Sequence, residues 1–464
     1  MNIKGKEIKT AYFIGIKGVG MTMLAQFLAE SGVSVSGSDN PENFMTTKVL
    51  QKEKIGVLAP FAVKNIPSKV DLIVYSSAYN AENNVELKHL LAKKFKPLLL
   101  IYAVALGEIF SQYDGLAVCG SHGKTTVSAW LGYVLYKGGL SPNVLVGASV
   151  PQFKGNTLKG RSRYFVAETD EYQNKLQYFF PQGVLLNNID YDHPDFFKTE
   201  KDYVKVFAEF IKKIPSQGFL VFNADDKIVL KVSADCRGQK ISYALHNKGA
   251  DYRATDLSVK NGRQYFSVWE QGKNLGRWSI LLSGEHNVYN SLAVIATAKK
   301  LGMNFFDIKK TVLSFTGTER RLQFLGKYQG ALIIDDYAHH PTEIRVTLAG
   351  VRTMYAESNI ITVFHPHTFT RTKALLGGFS QSFNDTNELI LLDIYGSARE
   401  KQGGVSSLDL LQKIKKNSPN LKISHIPTLE QVTEYLKAKV TKNDLVLLMG
   451  AGDVFRIGEN LLKK

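Results

Sequence analysis

Short apolar runs and amphipathic stretches alternate along this chain. Ala11-Tyr12-Phe13-Ile14 is an apolar run closed by Gly15, and a helix-like stretch from Met21 to Glu30 follows, stopped by Gly32. Val33 to Ser38 predicts the next strand, ending at Asp39, and Asp71 to Tyr75 predicts another, ending at Ser76-Ser77. Strand–helix–strand alternation predicts a parallel sheet with helices on its faces.

The same grammar recurs twice. Leu116 to Cys119 predicts a short buried strand, Gly120 to Thr126 a polar turn, and Val127 to Tyr136 a helix. Tyr164 to Ala167 and Gly183 to Leu186 predict further strands, each running into polar residues. Residues 250–282 alternate and predict a small antiparallel insert, with a helix beginning after Gly284-Glu-His-Asn287. In the last third, Ala331 to Ile334, Ile360 to Phe364, Glu388 to Leu392 and Leu445 to Met449 predict strands. The expectation is an α/β protein of three domains, 1–106, 107–315 and 316–464. The outer two are Rossmann-like, and the middle one is a parallel sheet of the phosphate-loop ATPase kind.

Composition changes this picture little. With 44% hydrophobic and 22% charged residues, the 464-residue chain reads as globular rather than disordered or fibrous. No apolar run predicts a membrane span, and the basic start lacks the apolar core of a secretion signal. Cys119 and Cys236 predict two reduced thiols and a cytoplasmic setting. The net charge of +16 invites polyanions, but the lysines are scattered singly or in pairs. They read as solvated basic faces, and no nucleic acid and no membrane insertion are expected.

Candidate chemistry gathers at the predicted strand ends. Gly120-Ser121-His122-Gly123-Lys124-Thr125-Thr126 sits between a strand and a helix. Its glycines let backbone N–H groups turn toward phosphate oxygens, Lys124 suits the β/γ-phosphates and Thr125 a Mg²⁺ ion. Position 118 is valine where the usual loop has glycine. The cluster Gly15-Ile-Lys-Gly18-Val19-Gly20, with Ser38 and Asp39 beyond it, permits close approach of a diphosphate. Glu168-Thr-Asp-Glu171 and Asn187-Asn-Ile-Asp-Tyr-Asp-His193 follow adjacent strands and suit a second Mg²⁺ or a substrate carboxylate. Asp335-Asp336-Tyr337-Ala-His339-His340-Pro341 and His365-Pro-His367-Thr-Phe-Thr-Arg371 suit an anionic or amino-acid ligand, with Arg371 able to grip a carboxylate by both nitrogens.

Taken in order, these pieces resemble the Mur ligases, the ATP-dependent amide-forming enzymes of peptidoglycan precursor synthesis. GIKGVGM, SGSD, SSA at 76–78, GSHGKTT, ETDE and NNIDYDH carry the likeness in the first half. GEHNVYN, RRLQ, DDYAHHPTEI, HPHTFTRT and MGAGD carry it in the second. The resemblance implies that ATP phosphorylates a carboxylate and an amine then displaces phosphate. It implies a UDP-N-acetylmuramate acceptor and an amino acid, with alanine first and glycine or serine next. A branch that adds a whole tripeptide is the alternative. A monomer or weak homodimer is expected.

The resemblance also implies roles. Gly120, Ser121, His122, Gly123, Lys124, Thr125 and Thr126 would hold the ATP phosphates, Asn287 and Asn290 the adenine, Asp336 the ribose and Arg321 the γ-phosphate. Thr125, Glu168 and His193 would hold Mg²⁺. Gly15, Gly18, Val19, Gly20, Ser38, Asp39, Ser76 and Ser77 would face the UDP-sugar. Tyr337, His339, His367 and Arg371 would face the amino acid, with His340 joining Lys124, Glu168, His193 and Arg321 in catalysis. Three departures stand out. Ala208 occupies the place of a lysine that many members carbamoylate. Thr368 stands where the alanine-adding pattern has arginine. ETDEY replaces EADES.

Overall fold

The computed structural model describes residues 1–92, 97–396, 400 and 402–463. They form three main sheets in chain order. The first contains β1 (Thr10–Ile14), β2 (Ser34–Ser38), β3 (Gly56–Leu58), β4 (Leu72–Tyr75) and β5 (Leu98–Ile101), in the order β3-β2-β1-β4-β5. All of its pairings are parallel. Ile14 lies level with both Ser38 and Tyr75, so the glycine turn, SGSD and SSA emerge at one edge. Helix α1 (Val19–Glu30) leaves that turn two residues earlier than its apolar period begins. Helix α2 (Tyr102–Phe110) then runs across the break expected between 106 and 107.

The central sheet has ten strands. These are β6 (Asp114–Cys119), β7 (Asn143–Val150), β8 (Gly155–Leu158), β9 (Tyr164–Glu168), β10 (Gly183–Leu186), β11 (Phe219–Asn223), β12 (Gln239–Ala244), β13 (Tyr252–Lys260), β14 (Arg263–Glu270) and β15 (Lys273–Ile280). Their order is β8-β7-β9-β6-β10-β11-β12-β13-β14-β15. Strand β6 lies between β9 on one side and β10 on the other, both parallel to it. Chain direction across the sheet switches there, which opens a crevice beyond the strand ends. The predicted insert is not a separate sheet: β13 continues the central one, pairing with β12 in parallel, and β14 and β15 follow antiparallel.

Helix α3 (Lys124–Lys137) starts at the lysine itself because Gly123 takes a left-handed conformation, φ 79°, as its cap. Residues 125–135 of α3 are buried all round, between the sheet and α5 (Glu285–Lys300). Helix α4 (Glu200–Ile211) carries Ala208, which packs on the apolar core. Helix α5 begins at Glu285, not after Asn287, so Asn287 and Asn290 share one helix face.

The third sheet has six strands: β16 (Gln323–Tyr328), β17 (Ala331–Asp336), β18 (Asn359–Phe364), β19 (Glu388–Leu391), β20 (Lys422–His425) and β21 (Asp444–Met449). Their order is β16-β17-β21-β18-β19-β20, and only β16 is antiparallel to its neighbour. Asp336, Met449 and Phe364 lie level, so DDYAHH, MGAGD and HPH leave the sheet side by side. Helices α6 (Pro341–Met354) and α7 (Phe369–Ala374) start from two of these exits.

Candidate active site

The phosphate-type loop follows β6 and is braced from β10. The Ser121 N–H donates to the Asn188 carbonyl at 3.1 Å and the His122 N–H to Asn188 Oδ1 at 2.8 Å. Gly120 has φ 128°, and a Cβ there would lie 2.8 Å from the Asn188 carbonyl oxygen, so this contact requires glycine. Lys124 is folded back on the loop: its Nζ donates to the Gly120 carbonyl at 2.6 Å, the Ser121 carbonyl at 3.1 Å and Glu171 Oε2 at 2.9 Å. Burial works against its charge, but Glu171 and neighbouring carboxylates outweigh burial and hold the ammonium protonated.

The acids after β9 divide the work differently from the expectation. Glu168 accepts the Thr125 hydroxyl at 2.9 Å and the Gly147 N–H at 3.0 Å, and burial raises its pKa. His193 sits with the carboxylates of Asp170 and Glu171, close enough to share an ion, and Glu168 is not in that group. The Glu171 carboxylate lies 3.6 Å from His193 Nε2 and accepts the Tyr203 hydroxyl at 2.9 Å. So Thr125 and Glu168 make one oxygen-rich group, while Asp170, Glu171 and His193 make another.

A cavity of about 860 Å³ opens beside the loop. His122, Gly123, Thr126, Asn287, Asn290, Arg321 and Asp336 all line it. Among the residues that line it, Asn187 Oδ1, Ser283 Oγ and Thr318 Oγ1 are buried without a hydrogen-bond partner. Buried polar atoms left without a partner in a native protein call for an explanation, and a bound polar ligand is one. Asn187 was visible within NNIDYDH, whereas Ser283 and Thr318 carry no sequence signal. Asp336 accepts the N–H groups of Leu322 at 2.8 Å and Ala338 at 2.9 Å, and burial lifts its carboxyl to about 6 despite Arg321.

From the third domain, Glu343 reaches into the same region. Its carboxylate accepts the His339 N–H at 3.0 Å, and it lies 3.3 Å from His122 Nδ1 and 3.8 Å from Arg321. His122 also contacts Asp190 at 3.0 Å. Burial opposes its charge, yet these two carboxylates lift the imidazole to about 9. Burial instead lowers His339 to about 4 and His367 to about 3, leaving both neutral. His340 caps α6 and directs Nε2 at the Tyr191 carbonyl, 3.4 Å away. Tyr337, His339 and His367 form a row, with ring centroids 5.4 and 6.4 Å apart. The open grip expected of Arg371 is corrected: Nε and Nη2 bind Asp192 at 2.9 and 3.2 Å.

From the first domain, Val19 and Gly20 line a second cavity of about 380 Å³ together with Lys124, Glu168, Asp170 and Tyr337. All three domains therefore meet at Lys124. Ser38 and Asp39 do not line this cavity. The Ser38 hydroxyl donates to Glu86 at 2.6 Å, and Asp39 accepts the N–H groups of Lys17 at 2.7 Å and Asn40 at 2.8 Å. They stiffen the glycine turn from below. Ser76 accepts the Ala78 N–H at 3.3 Å, and the Cβ of Ser76 lies 3.2 Å from the place a Cβ on Gly15 would take. Gly18 stays in the turn, its N–H on the Gly15 carbonyl at 3.3 Å. Ser77 is half-buried beside Ser76.

Known proteins share this sequence and fold. Three family models match in order: the Mur ligase family catalytic domain at 10–113, the Mur ligase middle domain at 118–298, and the Mur ligase glutamate ligase domain at 320–452. A UDP-N-acetylmuramate–L-alanine ligase of Desulfitobacterium hafniense is 38% identical over 97% of this chain and 99% of its own. One of Acetivibrio thermocellus is 38% identical over 98% of this chain and 96% of its own. Among solved structures, the UDP-N-acetylmuramate–alanine ligase of Thermotoga maritima superposes with a TM-score of 0.83 at 23% identity, covering 98% of each chain. The murein peptide ligase of Psychrobacter arcticus superposes at 0.74 with 21% identity and 98% of each chain. With its strand-edge motifs in the same order and its whole length matched, the chain belongs to the Mur ligase family.

Proposed function

We propose that this chain is an ATP-dependent ligase that joins L-alanine to the carboxylate of UDP-N-acetylmuramate in peptidoglycan precursor synthesis. The observation that carries it is that two cavities border the loop around Lys124, one bounded by the central and third domains and one reaching the first. The name carried by the full-length relatives supports alanine over a tripeptide.

ATP fits the larger cavity, whose stranded Asn187, Ser283 and Thr318 oxygens await polar partners. Mg²⁺ fits the oxygen donors Thr125 and Glu168, and a second ion fits Asp170, Glu171 and His193. When bound, Mg²⁺ neutralises the charge on a transferring phosphoryl group. Lys124 and Arg321 add fixed positive charge on the same group. Val19 and Gly20 admit the sugar acid to Lys124 from the first domain. His339 and His367 are neutral and present lone pairs to an incoming ammonium. Closure of the third domain excludes water, which would otherwise intercept the acyl phosphate.

Two free cysteines and the need for ATP suit the cytoplasm, with the chain as monomer or weak homodimer. Among the described residues, no helix is long and apolar enough to cross a membrane. The test is ADP formation with a panel of L-amino acids and the tripeptide L-Ala-γ-D-Glu-meso-diaminopimelate. ADP appearing only with UDP-N-acetylmuramate and L-alanine together is expected. Turnover with the tripeptide and with no single amino acid would overturn the reading.

A further inference from the structure

Two groups of histidine and carboxylate side chains lie close enough to share an ion among the described residues. Asp170, Glu171 and His193 belong to the site above. His122, Asp190 and His340 have no part there as a group. We propose that His122, Asp190 and His340 form a site for a borderline-soft divalent cation, zinc being the probe, that ties the central domain to the third.

The spacing suits a tetrahedral centre. His122 Nε2 is 3.0 Å and His340 Nδ1 3.5 Å from Asp190 Oδ2, and the three donor atoms all lie within 4.8 Å of one another. Metal–ligand bonds of about 2.0–2.2 Å set tetrahedral donors roughly 3.3 Å apart. Both imidazoles are also braced on their far side, as metal-ligating histidines are. His122 Nδ1 faces Glu343 at 3.3 Å and keeps its proton there, while a cation would displace the Nε2 proton that now faces Asp190; the Thr342 hydroxyl donates to the same Asp190 Oδ2 at 2.7 Å. His340 Nε2 donates to the Tyr191 carbonyl at 3.4 Å.

That last bond fixes the tautomer. With its proton on Nε2, His340 turns the Nδ1 lone pair toward a carboxylate oxygen that is itself an acceptor. The Thr342 N–H reaches this lone pair only at 3.3 Å. A cation between Nδ1 and Asp190 removes the conflict. Two imidazoles and one carboxylate select zinc, cobalt or nickel over Mg²⁺, which prefers a shell of oxygens. His122 and Asp190 also line the large cavity. Two ligands come from loops after β6 and β10 and the third from the cap of α6. An ion there staples the two domains together.

The experiment uses the full-length chain, freed of metal by chelator and titrated with zinc by calorimetry in excess Mg²⁺. It does not depend on ligase turnover. Asp190→Asn and His340→Gln are each expected to weaken the same zinc-binding event by at least about tenfold, and His193→Gln to leave it in place. Because His340 also caps α6, cobalt substitution of the unaltered chain gives a reading that needs no variant. A strong visible band of four-coordinate cobalt, bleached by zinc, is expected. Zinc affinity unchanged by Asp190→Asn, binding lost only in His193→Gln, or a weak six-coordinate cobalt spectrum would each overturn the site.

Discussion

The joint between the first and central domains is apolar, and the joint between the central and third domains is ionic. One buried cluster runs from Phe27 and Phe110 into Phe165 and Phe179 without interruption. The Phe165 ring lies 5.2 Å from Phe27 and 5.8 Å from Phe110. Across the other joint, no buried apolar cluster of the described residues is shared. Among the contacts that cross it are Arg371 on Asp192, His122 against Glu343, His340 against Asp190, and the Thr342 hydroxyl on Asp190. Apolar burial is non-directional and tolerates no water, so the first joint is made to stay shut. Paired charges can recover hydration when parted, so the second is the joint expected to open and close. Helix α2, which passes from one sheet to the next, reinforces the first.

Four measurements press on this contrast. Phe165→Ala is expected to cost about 3–5 kcal/mol in denaturant unfolding, the usual loss for a large aromatic core side chain. An unchanged midpoint would mean that the aromatic cluster does not weld the two domains. Lys124→Ala, at the point where both joints meet, is expected to lose roughly 2–4 kcal/mol of transition-state stabilisation while folding normally. Near-wild-type turnover would remove Lys124 from the chemistry.

Raising pH should loosen only the ionic joint. The His122 imidazole keeps its proton to about 9, above its ordinary 6.5. Its contribution to closure is therefore complete below about 6.5 and lost as pH rises through about 9. Small-angle scattering should show expansion over that window, with the aromatic joint indifferent. A constant radius across the window would deny His122 a role in closure. The smallest effect is expected of Thr342→Val, which deletes one hydroxyl donor to Asp190. About 0.5–1.5 kcal/mol of closure should go with it, read as a scattering profile shifted toward the open form at neutral pH. A profile matching the parent chain would leave that hydroxyl without weight.

The strands that frame the site were legible because each is a short apolar run ending in polar residues. Their meeting was legible only as motif order. Strand β6 lies between β9 and β10 through parallel crossovers, and no local pattern states which strands will be neighbours. Asn187 stood inside a quoted motif, but its stranded oxygen is a product of packing. Asp39 and Ser38 show the converse. The family likeness placed both on the UDP-sugar, and in the fold their side chains are held by Lys17, Asn40 and Glu86. Arg371 presented the right fork for a substrate carboxylate, and the sequence could not show that Asp192 already fills it. Helix α5 begins before its apolar period does, because Gly284, not a hydrophobic position, sets its start.

The way Lys124 is held bears on how so basic a chain behaves in a crowded cell. Its ammonium is wrapped by two carbonyls of its own turn and by Glu171. Stray polyanions drawn by the net positive charge thus find this cation already clothed. Only a guest that brings its own countercharge and fits the turn can exchange those oxygens for its own. An anion that reaches this turn must first displace oxygens that Lys124 already holds.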